Sequence, residues 1–170
     1  MQSMNPMKPI QSGFFLLEAL VGILLFALGI LAMIALGTTA VTMQADAQFR
    51  SEAMNLSERI SSDIWTGVAR TQVMVNGASM SEVDAASLAA FQQDATVTSA
   101  CSFTGGDSTN AAVVSWINAI RASLPGSVAG MQRIAVNTAA GAGNQVTITI
   151  CWQAPSDNRK REYTLVTYVN

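Results

Sequence analysis

The chain has 170 residues, of which 50% are hydrophobic and 12% charged, with nine basic residues, eleven acidic residues, no histidine and two cysteines. No basic stripe marks a nucleic-acid surface. Histidine, the commonest general base and the commonest metal ligand, is absent. The two cysteines alone cannot complete a four-ligand structural zinc site. We therefore expect no enzyme, no metal, no cofactor and no direct contact with nucleic acid.

Residues 1–13 form a short polar leader. It carries one charge, Lys8, and has no apolar segment of its own. A secretory signal places its apolar region before the cleavage site, whereas here the apolar stretch comes after the leader. Met1, Met4 and Met7 are all possible start sites. The positive charge upstream favours a cytoplasmic N-terminus and a C-terminal domain across the membrane.

A long apolar run, residues 14–43, follows the leader, and Glu18 is its only charged residue. About 20 apolar residues span the core of a bilayer, so this run is long enough to cross it. A charge inside such a span costs about 2.5–3.5 kcal/mol at the centre and less near an end. Glu18 is therefore a candidate functional residue; the alternative is a glutamate that reaches for the lipid headgroups.

The apolar run contains three glycines and no proline. Gly22, Gly29 and Gly37 are spaced close to one helical face, and small residues let membrane helices approach each other closely. Two interpretations stay open, a packing stripe that can also unwind in part, and ordinary glycine in a membrane helix.

The stretch Gly13-Phe14-Phe15-Leu16-Leu17-Glu18 resembles the class III leader motif of type IV pilins and type II secretion pseudopilins, which is usually Gly-Phe-Thr-Leu-Ile-Glu. Phe15 departs from the usual threonine. The resemblance implies that a prepilin peptidase cuts after Gly13 on the cytoplasmic side and methylates the new amine of Phe14. It also implies that Glu18, the fifth mature residue, acts in subunit assembly.

Elementary chemistry gives Glu18 a partner. Cleavage would create a cationic amine at Phe14, and residues i and i+4 share one face of a helix. The carboxylate can therefore meet its own amine or that of a neighbouring subunit, and in apolar surroundings a pair is far better than two isolated charges. A subunit in the wrong axial register would leave one charge unpaired, so Glu18 can report register.

Helical periodicity continues beyond Met43. Apolar residues recur every three or four positions while polar residues fill the other faces, which predicts an amphipathic helix. The apolar residues are Phe49, Ala53, Leu56, Ile60 and Ile64. We expect one helix from about Phe14 to Val68, near 80 Å long at about 1.5 Å per residue. Coiled-coil pairing is the alternative, but the stripe is short and irregular.

The middle of the chain predicts a turn and two helices. Asn76-Gly77 is typical of a turn. Ser81-Glu82-Val83-Asp84 resembles a capping box and predicts a short helix over 81–92, and residues 94–107 are expected to be extended or looping. A helix is expected over 110–124, capped by Asp107, Ser108 or Thr109 and stopped by Pro125-Gly126.

The tail predicts strands. Residues 131–138, 146–152 and 163–169 are candidate strands, two of them with a period of two. Short connections favour an antiparallel meander packed on the long helix, α+β in class, which is also the type IV pilin fold that the resemblance implies. The expected parts are a leader (1–13), a membrane or filament-core helix (14–43) and the amphipathic continuation with the globular head (44–170).

Two features of the head leave alternatives open. Cys101 and Cys151 can form a persistent disulfide if the head lies outside the cytoplasm; otherwise they are two buried free thiols. The basic cluster Arg159-Lys160-Arg161 either meets an acidic partner surface or is a solvated charge run.

Within the superfamily, the Trp116 helix and the strand before a tyrosine-bearing last strand resemble minor pilins of the PilV type. This implies a subunit that primes type IV pilus assembly near the tip, supporting adhesion and twitching motility. The implied partners are other minor pilins, the major pilin, prepilin peptidase and the inner-membrane assembly platform. The chain would be anchored in the inner membrane with a periplasmic head before it enters the pilus. Alternatives are a minor pseudopilin of type II secretion, an anchored binding protein outside any filament, and an anchored enzyme.

Overall fold

The computed structural model describes residues 12–155 and 158–170, with the side chains of all but residues 12, 13, 38 and 39 of these. The described part contains three helices and seven strands. Most of the predicted leader, with the start sites Met1, Met4 and Met7, lies outside the described residues. The chain divides into a first unit that ends at Ala45 and a second unit from Asp46 to Asn170, called the head below.

Helix α1 runs from Ser12 to Gly67, which confirms the predicted long helix. The described part of the first unit is helical throughout, and its described side chains are exposed from Phe14 to Val41. An 18-residue window of this helix has a mean hydropathy of 2.9 and is 0% buried. By length and composition, α1 can therefore cross a membrane.

The head portion of α1 buries the predicted apolar stripe. Ala53, Leu56, Ile60 and Ile64 are buried, and Phe49 is partly buried against the same cluster. These positions share one face because a helix turns every 3.6 residues. The stripe forms one side of the hydrophobic core.

The other side of the core is a three-stranded antiparallel sheet in the order β5-β6-β7, which confirms the meander. Its strands are β5 (Gln132–Asn137), β6 (Gln145–Gln153) and β7 (Lys160–Tyr168). Alternate β6 side chains join the same core cluster as α1, because successive side chains of a strand point to opposite faces; they are Val146, Ile148, Ile150 and Trp152. The class is α+β, a long helix packed on small antiparallel sheets, as expected for a pilin.

Two hairpins were not predicted as strands. Strands β1 (Arg70–Val75) and β2 (Ala78–Val83) flank the predicted Asn76-Gly77 turn. Both turn residues have positive φ, 53° and 82°, which suits the asparagine and glycine at these positions. Strands β3 (Thr96–Ser99) and β4 (Ser102–Thr104) form the second hairpin.

The capping box prediction was wrong. Helix α2 runs from Ala85 to Ala89, and its N-cap is Asp84, whose carboxylate accepts from the backbone of Ala86 and Ser87. Ser81 instead pairs with β1 in the hairpin. Strand pairing satisfies the backbone of Ser81, so the helix starts at the next residue with a suitable side chain.

Helix α3 runs from Ala111 to Ser123 and confirms the predicted helix, with a different cap. Asn110 Oδ1 accepts from the Ala112 amide at 2.9 Å. Ser108, one of the predicted caps, donates its hydroxyl to the Ala90 carbonyl instead. Trp116 is buried in the core, and its Nε1 donates to the Leu56 carbonyl of α1 at 3.0 Å.

Replacing Gly126 by alanine is expected to destabilise the head by about 2–4 kcal/mol. Gly126 has a φ of +65°, and an added Cβ would lie 2.8 Å from the Gln153 carbonyl oxygen. Gly141→Ala is the matched control, since its φ is +84° with nothing within 4 Å, and should cost only about 1–2 kcal/mol. Urea unfolding of the full chain in detergent measures the free energy of unfolding of both variants. Equal losses of stability would show that the close contact with Gln153 costs nothing.

Candidate functional site

The residues of the leader motif lie in the first two turns of α1. Gly13 is already helical, and Phe14 follows with 76% of its surface exposed. Glu18 is exposed one helical turn later. Cleavage after Gly13, methylation of Phe14 and an assembly role for Glu18 stay predictions, because they concern processing and assembly of the chain rather than its fold.

The helical geometry places Phe14 and Glu18 on one face. Their Cβ atoms are expected about 5–6 Å apart, as for any i, i+4 pair. An amine created at Phe14 would therefore lie within reach of the Glu18 carboxylate. Exposure of every described side chain from Phe14 to Met43 also leaves this face open to a neighbouring helix.

The two cysteines are joined. Cys101 and Cys151 form a disulfide with their Cα atoms 5.7 Å apart, which confirms the predicted pairing and overturns the free-thiol alternative. Both are buried with Phe103 and Met131 in a small cluster. This cluster lies on the face of β6 opposite the main core, because Cys151 alternates with Ile150 and Trp152. The bridge fastens the β3–β4 hairpin to the sheet.

Glu162 lies close to this disulfide. Its carboxylate and the two cysteine sulfurs lie within 4.8 Å of one another. The sulfurs are bonded to each other, so they cannot serve as the thiolates that a metal needs. The expectation of no metal and no cofactor stays a prediction.

An ion pair that the sequence does not reveal joins the last strand to α1. Arg161 Nη1 lies 2.7 Å from Asp46 Oδ2, and the two side chains are 41% and 33% exposed. The partners are 115 positions apart, so no local pattern could have found them. Arg161, one of the three basic residues 159–161, is therefore paired rather than simply solvated.

A surface groove of about 180 Å³ lies beside α3. Gln93, buried at its edge, donates from Nε2 to Asp94 and Asp107 and accepts at Oε1 from the Ser108 amide. Both Nε2 hydrogens and Oε1 are thus engaged in holding this loop, which is a structural role. The groove is lined by one acid, one arginine, two amide side chains, a serine and two apolar side chains.

Comparison with protein-family models, with curated proteins and with solved structures gives no match to this chain. The functional argument therefore depends on the residues of this chain and their geometry.

Proposed function

We propose that this chain is a minor type IV pilin, a filament subunit that helps to start pilus assembly near the tip. The observation that carries the proposal is one carboxylate, Glu18, which is exposed near the start of the otherwise uncharged run 14–43 and lies four positions after Phe14 of the pair Gly13-Phe14. Its partners would be other minor pilins, the major pilin, prepilin peptidase and the inner-membrane assembly platform.

The exposed apolar surface of α1 supports the proposal. All described side chains from Phe14 to Met43 are exposed. Apolar surface of this extent must be covered by lipid or by other helices. In a pilin, lipid surrounds this apolar surface before assembly, and helices of neighbouring subunits surround it in the filament core.

Glu18 supplies the selectivity for correct assembly in this proposal. In the apolar filament core, its carboxylate would pair with the amine of Phe14 of a neighbouring subunit. Breaking a buried ion pair by removing one partner costs about 3–5 kcal/mol. A misplaced subunit would suffer that cost, so the pair favours one axial register.

The head is suited to exposure outside the cytoplasm. Its disulfide joins Cys101 and Cys151, and disulfides persist mainly in oxidising compartments. The disulfide therefore supports a periplasmic head in this proposal, which goes with a cytoplasmic N-terminus and with the whole subunit in the pilus after assembly.

A minor pseudopilin of a type II secretion system is the second candidate, because the same motif and helix would serve it equally. Deletion of the gene separates the two. Loss of pili and twitching with normal secretion supports the pilin, whereas loss of secreted enzymes with normal pili supports the pseudopilin.

Glu18→Ala is expected to leave cleavage largely intact but to reduce recovery of the subunit in sheared filaments at least about tenfold, since an unpaired amine would be left in the core. Glu18→Gln, which keeps the size of the side chain, should behave in the same way. Quantitative mass spectrometry of sheared and membrane fractions measures the effect.

The matched control is Glu58→Ala, which removes an exposed glutamate from the head portion of the same helix and should leave recovery unchanged. Recovery of Glu18→Ala at the level of the unmodified chain would refute the register role.

A further inference from the structure

A carboxylate lies beside the disulfide, at a position that strand pairing determines. Glu162 of β7 is the register partner of Cys151 on β6. The Cys151 amide donates to the Met131 carbonyl at 3.0 Å, on the β5 side of the strand, so its backbone groups point away from β7. Cys151 and Glu162 therefore form a non-hydrogen-bonded pair, in which the Cα atoms lie about 4.5 Å apart and the side chains are closer together.

The carboxylate is close to both sulfurs of the bridge. The Glu162 carboxylate and the sulfurs of Cys101 and Cys151 lie within 4.8 Å of one another. Glu162 is exposed, whereas the two cysteines are buried with the apolar side chains of Phe103 and Met131. A reagent that reaches either sulfur therefore comes close to a negative charge.

Reduction of the bridge by a thiol creates negative charge at the cysteines. A thiolate attacks one sulfur, a mixed disulfide forms, and the other cysteine leaves as a thiolate. A second thiolate attacks the mixed disulfide and releases the first cysteine. The two electrons come from the reagent, which ends as its own disulfide, and the cysteine thiolates take protons from water.

Both routes of attack place an anion opposite Glu162. Attack on Cys151 brings the incoming thiolate to the residue that Glu162 faces. Attack on Cys101 makes Cys151 the leaving thiolate, at the same position. Two negative charges close together repel each other, so the carboxylate disfavours each route.

Two cations share this face of the sheet with Glu162. Lys160 lies two positions earlier on β7, about 7 Å along the strand. Arg133 of β5 donates from Nε to the Ala95 carbonyl at 2.9 Å. Neither cation is the register partner of Cys151. We expect the carboxylate to have the larger effect, because it faces the bridge directly.

We propose that Glu162 protects the Cys101–Cys151 bridge from reduction by small thiols, above all by anionic ones. The carboxylate repels the attacking thiolate and disfavours the leaving thiolate, while it takes no part in the making of bonds. Protection of the bridge keeps the β3–β4 hairpin fastened to the sheet. The inference does not depend on the proposed function, because a pilin, a pseudopilin and an anchored protein would all carry the same head.

Rates of reduction of the full chain in an uncharged detergent test the proposal. Three thiols are compared at mildly alkaline pH, namely anionic mercaptoethanesulfonate, neutral mercaptoethanol and cationic cysteamine. N-Ethylmaleimide traps the released cysteines at timed intervals, and intact-mass spectrometry counts the adducts. Since the chain has two cysteines, both of them in the bridge, every adduct reports its reduction.

Glu162→Gln should accelerate reduction by mercaptoethanol about threefold relative to the unmodified chain. The acceleration should be larger with mercaptoethanesulfonate and smaller with cysteamine, because the reagents differ in charge. Salt at about 1 M should remove most of the difference, since it shortens the Debye length to about 3 Å.

The dependence on reagent charge separates electrostatic protection from a loosened head. A variant that only opens the hairpin more often would be reduced faster by all three thiols in equal proportion. Glu162→Lys should favour the anionic thiol still further. Glu58→Gln is the matched control, because it removes an exposed glutamate from α1, which packs on the other face of β6, and it should leave all three rates unchanged.

Equal rates for Glu162→Gln and the unmodified chain would overturn the inference, as would an acceleration of the same size with every thiol. Slower reduction of Glu162→Gln would also overturn it and would show that the carboxylate assists reduction. Each of these results leaves the proposed function standing, because cleavage after Gly13 and recovery in filaments are measured separately.

Discussion

A chain carrying Gly13→Leu is expected to accumulate as a full-length precursor in the inner membrane, with no mature subunit detectable. A peptidase must bring the backbone of residue 13 against its catalytic groups, and glycine allows the closest approach because it has no Cβ. Intact-mass spectrometry distinguishes the precursor from a mature chain that begins at methylated Phe14.

The matched control is Gly22→Leu, which adds the same side chain to the same helix where a Cβ meets nothing within 4 Å. It should be processed normally. Normal processing of Gly13→Leu would refute the prediction that residues 1–13 are a leader cleaved after Gly13. A mature N-terminus at any residue other than Phe14 would do the same, and would favour an anchored protein outside any filament.

Replacing Cys101 and Cys151 together by alanine is expected to lower the free energy of unfolding of the head by about 4 kcal/mol, because the bridge closes a loop of 50 positions in the unfolded chain. The corresponding fall in Tm is roughly 10–20 °C for a domain of this size. Alanine is preferred to serine, since both positions are buried and a buried hydroxyl without a partner adds its own cost.

Thermal unfolding of the full chain in detergent, with and without reductant, measures this effect. Reductant should destabilise the unmodified head and leave the double alanine variant unchanged. A head whose stability does not differ between the two chains would contradict a stabilising role for the disulfide.

Elements with a strong local signal were predicted correctly. The apolar run and its amphipathic continuation predicted α1, and the stripe from Ala53 to Ile64 is the face that α1 buries. Alternation in residues 146–152 predicted β6 in the same way. These periodicities appear in the sequence because one face of each element is buried, and residues on that face recur every 3.6 positions in a helix and every two in a strand.

Elements that depend on pairing were predicted poorly. Strands β1 and β2 are exposed almost throughout, so neither strand has a buried face that would mark it in the sequence by a run of large apolar residues at alternate positions. Strand β7 begins at Lys160, before its predicted start at Tyr163, because β6 continues to Gln153 and pairs with it. A strand end is set by its neighbour, which the local sequence does not contain.

The sequence by itself determined the long helix, its apolar half, the motif from Gly13 to Glu18 and the α+β class, because each is a pattern of adjacent or helically spaced residues. Only the tertiary structure decided that Arg161 pairs with Asp46, that Cys101 meets Cys151, and that Asp84 rather than Ser81 starts α2. Those outcomes require residues far apart in sequence to compete for the same partners in space. The packing of the head sets which acid Arg161 meets, and the residues next to Arg161 in sequence do not contain that information.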